Sequence, residues 1–236
     1  MGNSSLIKIE RLIKRFPVGK GYFTALNGIN LNIEAGEFTG IVGPSGSGKT
    51  TLLNIIGSLD TPSEGTTTVL DRSISDLSSK QAAQLRNNHI GFIFQTYNLF
   101  PLYSVFENIE FALLLQHKTA AQRRKAVMRS LEWVGLTDKI KSKPAMLSGG
   151  ECQRVAIARS MVKRPEIILA DEPTANLDSE NSHHILQTMK KLNEELKVTF
   201  LFATHDEKVM KYLNRIITLK DGKVTDDTAV LQTQNV

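Results

Sequence analysis

The chain contains one cysteine, Cys152, among 236 residues. An internal disulfide is therefore excluded, and this cysteine usage is typical of a protein that folds in a reducing compartment. Long apolar runs are also missing: the most apolar stretch, residues 111–115, is far shorter than the ~20 residues that a membrane-spanning helix needs. Residues 1–5 contain no apolar signal region, which predicts that the protein is not secreted. We expect a globular protein stabilised by its hydrophobic core.

The sequence also has no large excess of positive or negative charge, since its net charge is only +5. Much of it is local, because residues 118–141 carry seven lysines and arginines against two carboxylates. Such a run can contact anionic lipid headgroups or nucleic acid. It can also be the solvated face of a helix with an opposite apolar face. Val127, Leu131 and Val134 recur at helical spacing, so we interpret the run as a solvated helix face.

A glycine-rich stretch fits the phosphate-loop pattern G-x-x-x-x-G-K-[ST]. It consists of Gly43, Pro44, Ser45, Gly46, Ser47, Gly48, Lys49 and Thr50, and Thr51 follows it. An apolar strand-like run precedes it and helix-compatible apolar spacing follows, which is the context that the pattern requires. The glycines let backbone N–H groups surround a phosphate at a helix N-terminus. Lys49 would then neutralise the β- and γ-phosphates of a nucleotide, and the Thr50 hydroxyl would bind Mg²⁺.

Two later apolar runs each end in polar residues, which predicts a parallel α/β sheet with a site at its carboxyl edge. Residues 167–170 lead into Asp171 and Glu172, and residues 198–203 lead into Thr204 and then His205. Two adjacent carboxylates in a core would repel each other, so we interpret them as functional. Asp171 is the predicted Mg²⁺ ligand. Glu172 is the predicted general base, which deprotonates the attacking water.

Residues 147–151 form a second glycine-containing stretch ahead of a helix-periodic run: Leu147, Ser148, Gly149, Gly150 and Glu151. A serine cap, bare backbone N–H groups and a helix dipole predict another anion site. With this stretch the sequence resembles the ATP-binding cassette (ABC) ATPases, whose signature reads L-S-G-G-[EQ], and the resemblance covers nearly the whole chain. It implies a homodimer in which the signature of one subunit caps the γ-phosphate of ATP held by the other subunit's phosphate loop.

The resemblance also implies the fold, an α/β RecA-like P-loop NTPase core with an N-terminal antiparallel β-subdomain and an inserted α-helical subdomain. We expect a single domain at residues 6–225. Its parts are the core and β-subdomain at 6–95 and 156–225, the helical subdomain at 96–155, and a tail at 226–236. Pro101 predicts the start of one helical segment, and Gly135 predicts the end of another.

Further site residues are carried over from the family at matching positions. Gln95 matches the Q-loop, which contacts Mg²⁺ and the attacking water and links the core to the helical subdomain. His205 matches the switch histidine, which contacts the γ-phosphate and assists catalysis. Asn176, Leu177 and Asp178 resemble the D-loop, which crosses the dimer interface.

Two assignments leave alternatives open. Adenine usually stacks on an aromatic ring upstream of the phosphate loop. Phe16 fits best by position, while Tyr22 and Phe23 are alternatives and a core role is possible for each. Cys152 lies in the signature helix, where it is either a reactive thiol near a helix N-terminus or a passive side chain; we favour the passive role.

Residues 88–99 and 153–159 resemble the lipoprotein-release and macrolide-export group of ABC ATPases. This resemblance implies integral membrane permease subunits with large extracytoplasmic domains as partners. It also implies a peripheral location on the cytoplasmic face of the inner membrane, and no nucleic acid partner. Residues 99–103 are an apolar patch after the Q-loop, which either receives a helix of such a partner or belongs to the core.

Other functions remain as alternatives. A cell-division ABC ATPase would transmit force without transport, and a soluble ABC ATPase would act on DNA or ribosomes. DNA-repair types insert a long coiled coil between the phosphate loop and the signature, and ribosomal types carry two cassettes. This sequence has neither feature, so we favour the transporter subunit.

Overall fold

The computed structural model describes residues 5–230. These residues form strands with the following bounds: β1 Ile7–Val18, β2 Gly21–Ile33, β3 Phe38–Val42, β4 Glu64–Val69, β5 Arg72–Ser73, β6 Ile90–Ile93, β7 Ile167–Asp171, β8 Thr199–Thr204, β9 Arg215–Lys220 and β10 Lys223–Ala229. Two predictions fall partly outside the described residues. They are the absence of a signal region, which concerns residues 1–4 among others, and the tail, which includes residues 231–236.

The α-helices occupy these ranges: α1 Lys49–Ile56, α2 Ser79–His89, α3 Val105–Glu110, α4 Ala120–Val134, α5 Gly149–Met161, α6 Ser179–Leu196 and α7 Glu207–Met210. Helix α4 ends at Gly135, which has a φ of 64°, as the sequence predicts. The predicted start at Pro101 is wrong. Helix α3 starts after Ser104, because Ser104 and Glu107 form a capping box that satisfies the first backbone donors.

The strands form two sheets. The antiparallel sheet has the order β2-β1-β4-β5, and the larger sheet has the order β10-β9-β3-β8-β7-β6. In the larger sheet, β9, β3, β8, β7 and β6 are parallel, whereas β10 pairs antiparallel to β9. This arrangement places the ends of β3, β7 and β8 side by side.

The core is divided between the two faces of the parallel sheet. Phe200 and Phe202 of β8 pack with Phe38 against the helical part of the chain. Leu201 and Ala203 face the opposite side, towards α1 and the antiparallel sheet. Because both faces are buried, β8 is a continuous apolar run rather than an alternating one.

Two predicted boundaries differ from the structure. Helix α5 crosses the boundary drawn between 155 and 156, and its residues on both sides pack in one cluster with α3 and α4. Residues 226–229 are not a tail, because they pair with β9 as part of β10. The strand is exposed and rich in threonine and aspartate, so it lacks the apolar alternation by which a strand is recognised.

Candidate functional site

A cleft of about 450 Å³ opens at the carboxyl edge of the parallel sheet. Its walls bring together residues that are distant in sequence: Phe16, Phe23, Ala25, Ser45, Gly46, Gly48, Lys49, Thr50, Thr51, Gln95, Asp171, Glu172 and His205. Ala25 was not predicted from the sequence, and Phe23 was only an alternative to Phe16. The sequence predicted that every other lining residue binds the nucleotide, binds Mg²⁺ or takes part in catalysis.

The phosphate loop forms a tight turn between β3 and α1. Gly48 has a φ of 105°, and a Cβ added there would lie 2.7 Å from the Ala25 carbonyl oxygen. Only glycine accommodates both conditions. Lys49 Nζ donates to the Gly43 carbonyl at 2.7 Å and to the Pro44 carbonyl at 3.0 Å. The ammonium group is therefore held over the loop at the mouth of the cleft.

The N-terminus of α1 leaves hydrogen-bond donors unmatched. Its N-cap residue, Gly48, makes no side-chain cap, and the first turn contains no acidic residue. The positive end of the helix dipole and the first N–H groups are therefore uncompensated by the helix itself. Ser47 Oγ is buried and has no hydrogen-bond partner within residues 5–230. Such a set of donors suits an anion with several oxygens, such as a phosphate.

Thr50 and Asp171 meet beside the loop. Thr50 Oγ1 donates to Asp171 Oδ2 at 2.9 Å. Burial raises the pKa of the Asp171 carboxyl above its usual range, although the hydrogen bond from Thr50 opposes this shift. A hydroxyl and a carboxylate oxygen side by side are hard ligands that fit Mg²⁺. No cluster of three or more His, Cys, Asp or Glu residues in the described chain could hold a metal alone, so water and phosphate would supply the remaining ligands.

Glu172 is held by one contact to each carboxylate oxygen. His205 Nδ1 lies 2.6 Å from Oε1, and Thr204 Oγ1 donates to Oε2 at 3.0 Å. The Glu172 backbone has a φ of 46°, a strained conformation for a residue with a side chain. Its N–H donates to the Ala203 carbonyl at 2.9 Å, which fixes the segment to β8. The carboxylate is thus oriented into the cleft and keeps lone pairs that can accept a proton from water.

The strands β1 and β2 place two aromatic rings at the cleft. Phe16 and Phe23 are partners in the β1–β2 ladder, and both line the cleft. The Phe16 ring is 36% exposed, and Lys14 Nζ lies 5.0 Å from its centroid. Tyr22 is 75% exposed and does not line the cleft. Phe16 and Phe23 are therefore both positioned for stacking on a base, and neither ring belongs to the core.

The signature residues 147–151 lie outside this cleft. Ser148 caps α5: Glu151 N–H donates to Ser148 Oγ at 3.2 Å, and Ser148 N–H donates to Glu151 Oε2 at 2.8 Å. The sequence predicted bare backbone N–H groups at this helix start. That prediction is wrong in part, because Ser148 and Glu151 satisfy some of these donors. Gly150 is buried, and a Cβ added there would lie 2.4 Å from Asn181 Oδ1.

The predicted D-loop connects the cleft with α6. Asn176 Nδ2 donates to the Gln95 carbonyl at 2.9 Å, which ties this loop to the Q-loop. Leu177 packs against the core, and Asp178 Oδ1 accepts from Asn181 N–H at 2.8 Å to start α6. Gln95 is exposed and lines the cleft.

Two side chains of α5 that were not predicted from the sequence contact the segments that follow Glu172 and Gln95. Gln153 is buried, and its Nε2 donates to the Pro173 carbonyl at 2.6 Å, directly after Glu172. The Arg159 guanidinium donates to the carbonyls of Asn98 and Tyr97, each at 2.6 Å. Helix α5 is thus bonded both to the segment after Glu172 and to the segment after Gln95, the predicted catalytic residue and the predicted Q-loop residue. The only available signal was polar residues within an apolar helix, which does not identify their partners.

The Cys152 thiol is buried and lies 3.7 Å from the Pro144 carbonyl, to which it donates. Burial raises its pKa, and the charge of Glu151 raises it further. The thiolate is therefore disfavoured, which supports the passive role.

Comparison with known proteins agrees with this geometry. The family described as ABC transporter matches residues 26–175. The chain is 45% identical over 223 residues to the uncharacterized ABC transporter ATP-binding protein MJ0796 of Methanocaldococcus jannaschii, covering 93% of this chain and 95% of that protein. It is 44% identical over 222 residues to the macrolide export ATP-binding/permease protein MacB of Burkholderia thailandensis, covering 94% of this chain and 34% of that protein.

Solved structures give the same result. The dimeric structure of MJ0796 has a TM-score of 0.88 and 43% identity, covering 95% of this chain and 99% of that one. A dimeric post-hydrolysis structure of MJ0796 bound to ADP and Pi has a TM-score of 0.87 and 42% identity, with the same coverage. The predicted RecA-like α/β fold with its antiparallel β-subdomain is confirmed. None of the helices between residues 5 and 230 is long and apolar enough to cross a membrane. The chain belongs to the ABC transporter family, as an ATP-binding subunit of the MacB and MJ0796 type.

Proposed function

We propose that the chain hydrolyses ATP in the cleft, in a Mg²⁺-dependent reaction, and drives partner subunits in a membrane. The observation that carries the proposal is the meeting of the phosphate loop with Asp171, Glu172 and His205 in one cleft. The family implies ATP hydrolysis, and a related structure holds ADP and Pi. The finer assignment is lipoprotein release or macrolide-type export.

Each residue has a role that follows from its position. The α1 N-terminus and Lys49 bind the phosphates, while Thr50 and Asp171 would hold Mg²⁺, which neutralises charge on the transferring phosphoryl group when bound. Gln95 lies on the cleft wall within reach of the same region. Glu172 accepts the proton of the attacking water. His205 orients the Glu172 carboxylate through the 2.6 Å contact and would contact the γ-phosphate of a bound ATP.

The active form that we propose is a homodimer in which two ATP molecules lie between the subunits. Residues 147–151 contribute nothing to the cleft of their own chain. Ser148 and Gly149 are exposed at the start of α5, where a second subunit's γ-phosphate would reach them. The related MJ0796 structures are dimeric, which supports this assembly.

The proposed docking site for the membrane partner is an apolar groove beside the Q-loop. We use the term apolar groove for the 310 Å³ depression lined by Phe92, Phe94, Phe100 and Phe111. The two alternatives for the predicted patch at 99–103 each apply to a part of it. Leu99 packs against the core, whereas Leu102 is 81% exposed at the surface. We place the protein on the cytoplasmic face of the inner membrane, as a peripheral subunit of permeases with large extracytoplasmic domains.

The first experiment compares wild-type protein with Glu172→Gln. Phosphate release should fall roughly 10²–10⁴-fold in the variant, because the general base is lost. ATP binding should persist, and light scattering should detect an ATP-dependent dimer that accumulates. An unchanged turnover rate would remove Glu172 from the role of base.

The partner is tested by affinity purification of tagged Glu172→Gln protein, with ATP, from detergent-solubilised native membranes. Recovery of a few-span protein with a large extracytoplasmic domain supports lipoprotein release or export. A four-span partner associated with wall hydrolases would instead favour a division ATPase. Recovery of ribosomes or DNA without a membrane protein would overturn the transporter assignment.

A further inference from the structure

A further cavity, which the proposed reaction does not use, lies between α4 and the end of α5. We call this 230 Å³ cavity the basic pocket, and the residues that define it are Lys118, Lys125, Arg129, Trp133, Lys163 and Arg164. The α4 residues share one stripe, because positions 125, 129 and 133 are spaced by one helical turn. The opposite face of α4 is buried through Val127 and Leu131.

The cations of the basic pocket have no counter-charge. Between residues 5 and 230, no carboxylate lies within ion-pair distance of any of the five Lys and Arg side chains, and the pocket lining contains no Asp or Glu. Neighbouring cations are different: Arg123 is paired with Glu110 at 2.8 Å, and Lys139 with Glu151 at 3.6 Å. The positive potential is therefore concentrated in the pocket rather than spread evenly over α4.

Lys163 is anchored by a backbone contact outside the pocket lining. Its Nζ donates to the Arg86 carbonyl at 2.5 Å. Burial, together with the nearby charge of Arg86, lowers the pKa of Lys163 to about 8.

Apolar and aromatic groups accompany the charges. Trp133 lines the pocket, and the Arg129 guanidinium carbon lies 5.8 Å from its ring centroid. Leu114 and Leu115 are exposed shortly before Lys118, and Leu115 is 82% exposed. Tryptophan, cations and exposed leucines in one part of a chain are typical of surfaces that contact the headgroup region of a membrane.

The basic pocket also adjoins the surface proposed to face the membrane. Lys163 lines both the basic pocket and the apolar groove. A partner seated in the groove would therefore bring lipid headgroups near the pocket. Free phosphate carries the same chemical group, but it would make no use of Trp133 or of the exposed leucines.

We propose that the basic pocket binds the phosphate of an anionic phospholipid headgroup. The choice of a lipid rests on the proposed membrane partner, whereas the anion site rests on the charges themselves. Contact with the membrane would then be made by this chain directly, in addition to contact through the permease.

The test uses full-length protein and vesicles without any partner protein. Vesicles of phosphatidylglycerol and phosphatidylcholine in equal parts should bind the protein in a flotation assay, and vesicles of phosphatidylcholine alone should not. Trp133 is the only tryptophan of the sequence, so its fluorescence emission reports events in the pocket. We expect an emission change with the anionic vesicles.

Two double variants distinguish binding in the basic pocket from general attraction by the protein's net positive charge. Lys125→Glu with Arg129→Glu should weaken vesicle binding at least about tenfold. The matched control is Arg124→Glu with Lys141→Glu, which changes the net charge equally at exposed positions outside the pocket. The control should lose much less binding. Milder Lys125→Gln and Arg129→Gln changes serve if charge reversal perturbs folding.

The outcomes are distinguishable. Equal loss in the pocket variant and the control would overturn the site, because net charge alone would then explain binding. Saturation of the Trp133 signal by inorganic phosphate or duplex DNA, without vesicle binding, would overturn the lipid assignment. ATP hydrolysis without vesicles should be unchanged in every variant. Absence of hydrolysis even in the wild type would overturn the proposed function and leave the lipid result standing.

Discussion

Two glycine-containing loops in this chain lead into helices, and their helix N-termini differ. At α1 the cap residue is Gly48, with no side-chain cap and no acid in the first turn. At α5 the cap is Ser148, which forms a capping box with Glu151. The N-terminus of α1 lies in the cleft with Lys49, and no side chain of the helix caps its backbone N–H groups or compensates its dipole. The N-terminus of α5 is exposed, and Ser148 and Glu151 satisfy some of its backbone N–H groups.

The difference indicates a division of labour between the loops. We expect the α1 end to bind a phosphate alone, because within residues 5–230 it has neither a side-chain cap nor an acidic residue in its first turn. The α5 end carries a carboxylate at its third residue, which opposes an incoming anion and lowers the affinity of this end alone. It would therefore complete a site already organised by another phosphate loop rather than form one by itself. The predictions below test this comparison.

The largest expected effect comes from mixing two inactive variants. Lys49→Ala removes the phosphate loop's charge, and Ser148→Arg blocks the signature; each should reduce turnover roughly 100-fold or more. In an equal mixture, half of the dimers combine both variants and hold one intact composite site. About a quarter of wild-type phosphate release should return if the sites act independently. No recovery, with mixed dimers verified by differential tags, would contradict composite sites.

Matched alanine substitutions compare the loops directly. Gly48→Ala places a Cβ 2.7 Å from the Ala25 carbonyl at a φ of 105°, so it should reduce the free energy of unfolding by about 1–3 kcal/mol. At Gly149 the nearest atom is the Tyr97 hydroxyl at 3.0 Å, so Gly149→Ala should change it by less than about 1 kcal/mol. Denaturant titration measures both. Equal destabilisation would show that the two loops are equally constrained.

Asp171 gives the cleft a pH dependence. Its pKa is raised by burial, so the folded state holds the proton more strongly than the unfolded state does. The free energy of unfolding should therefore fall as pH rises from the usual aspartate pKa through the raised value. Asp171→Asn should abolish this decrease and stabilise the protein at neutral pH without Mg²⁺, while hydrolysis is lost. Parallel stability curves for both proteins from acidic to neutral pH would contradict the assignment.

The smallest expected effect is at Glu151. Glu151→Gln keeps an oxygen that accepts from Ser148 N–H but removes the negative charge near the helix N-terminus. ATP-dependent dimerisation should strengthen by about 0.3–1 kcal/mol, or up to about fivefold. Glu151→Ala is the control, because it removes the cap together with the charge. Sedimentation of the hydrolysis-deficient protein with ATP measures both, and weaker dimerisation of the glutamine variant would argue against charge opposition.

Local patterns predicted the elements that bear the chemistry. The phosphate loop, the strand ends at Asp171 and His205, and the end of α4 at Gly135 all lie where spacing and residue type indicate. The predicted start of α3 was wrong because Pro101 is a weaker helix-start signal than the capping box. That box is formed by Ser104 and Glu107, which come after Pro101 in the chain. The second half of β10 was missed because an exposed edge strand carries no apolar alternation.

Contacts between distant segments could not be predicted. The hydrogen bond from Gln153 to Pro173 and those from Arg159 to the Q-loop join residues that no local period relates. The presence of Phe23 in the cleft depends on the β1–β2 register. Likewise, the sequence predicted only a solvated helix face for the basic run on α4. Lys163 and Arg164, which close its pocket, lie on a segment that follows later in the chain.

The sequence by itself determined the fold class and the family and predicted a phosphate site, because those depend on residue types at short, fixed spacings. Only the tertiary structure decided which helix N-terminus is uncompensated, which aromatic rings face the cleft and which cations form no ion pair among residues 5–230. The physical reason is that capping, burial and charge pairing depend on the positions of all neighbouring groups in space, and chain folding brings most of those neighbours from distant parts of the sequence.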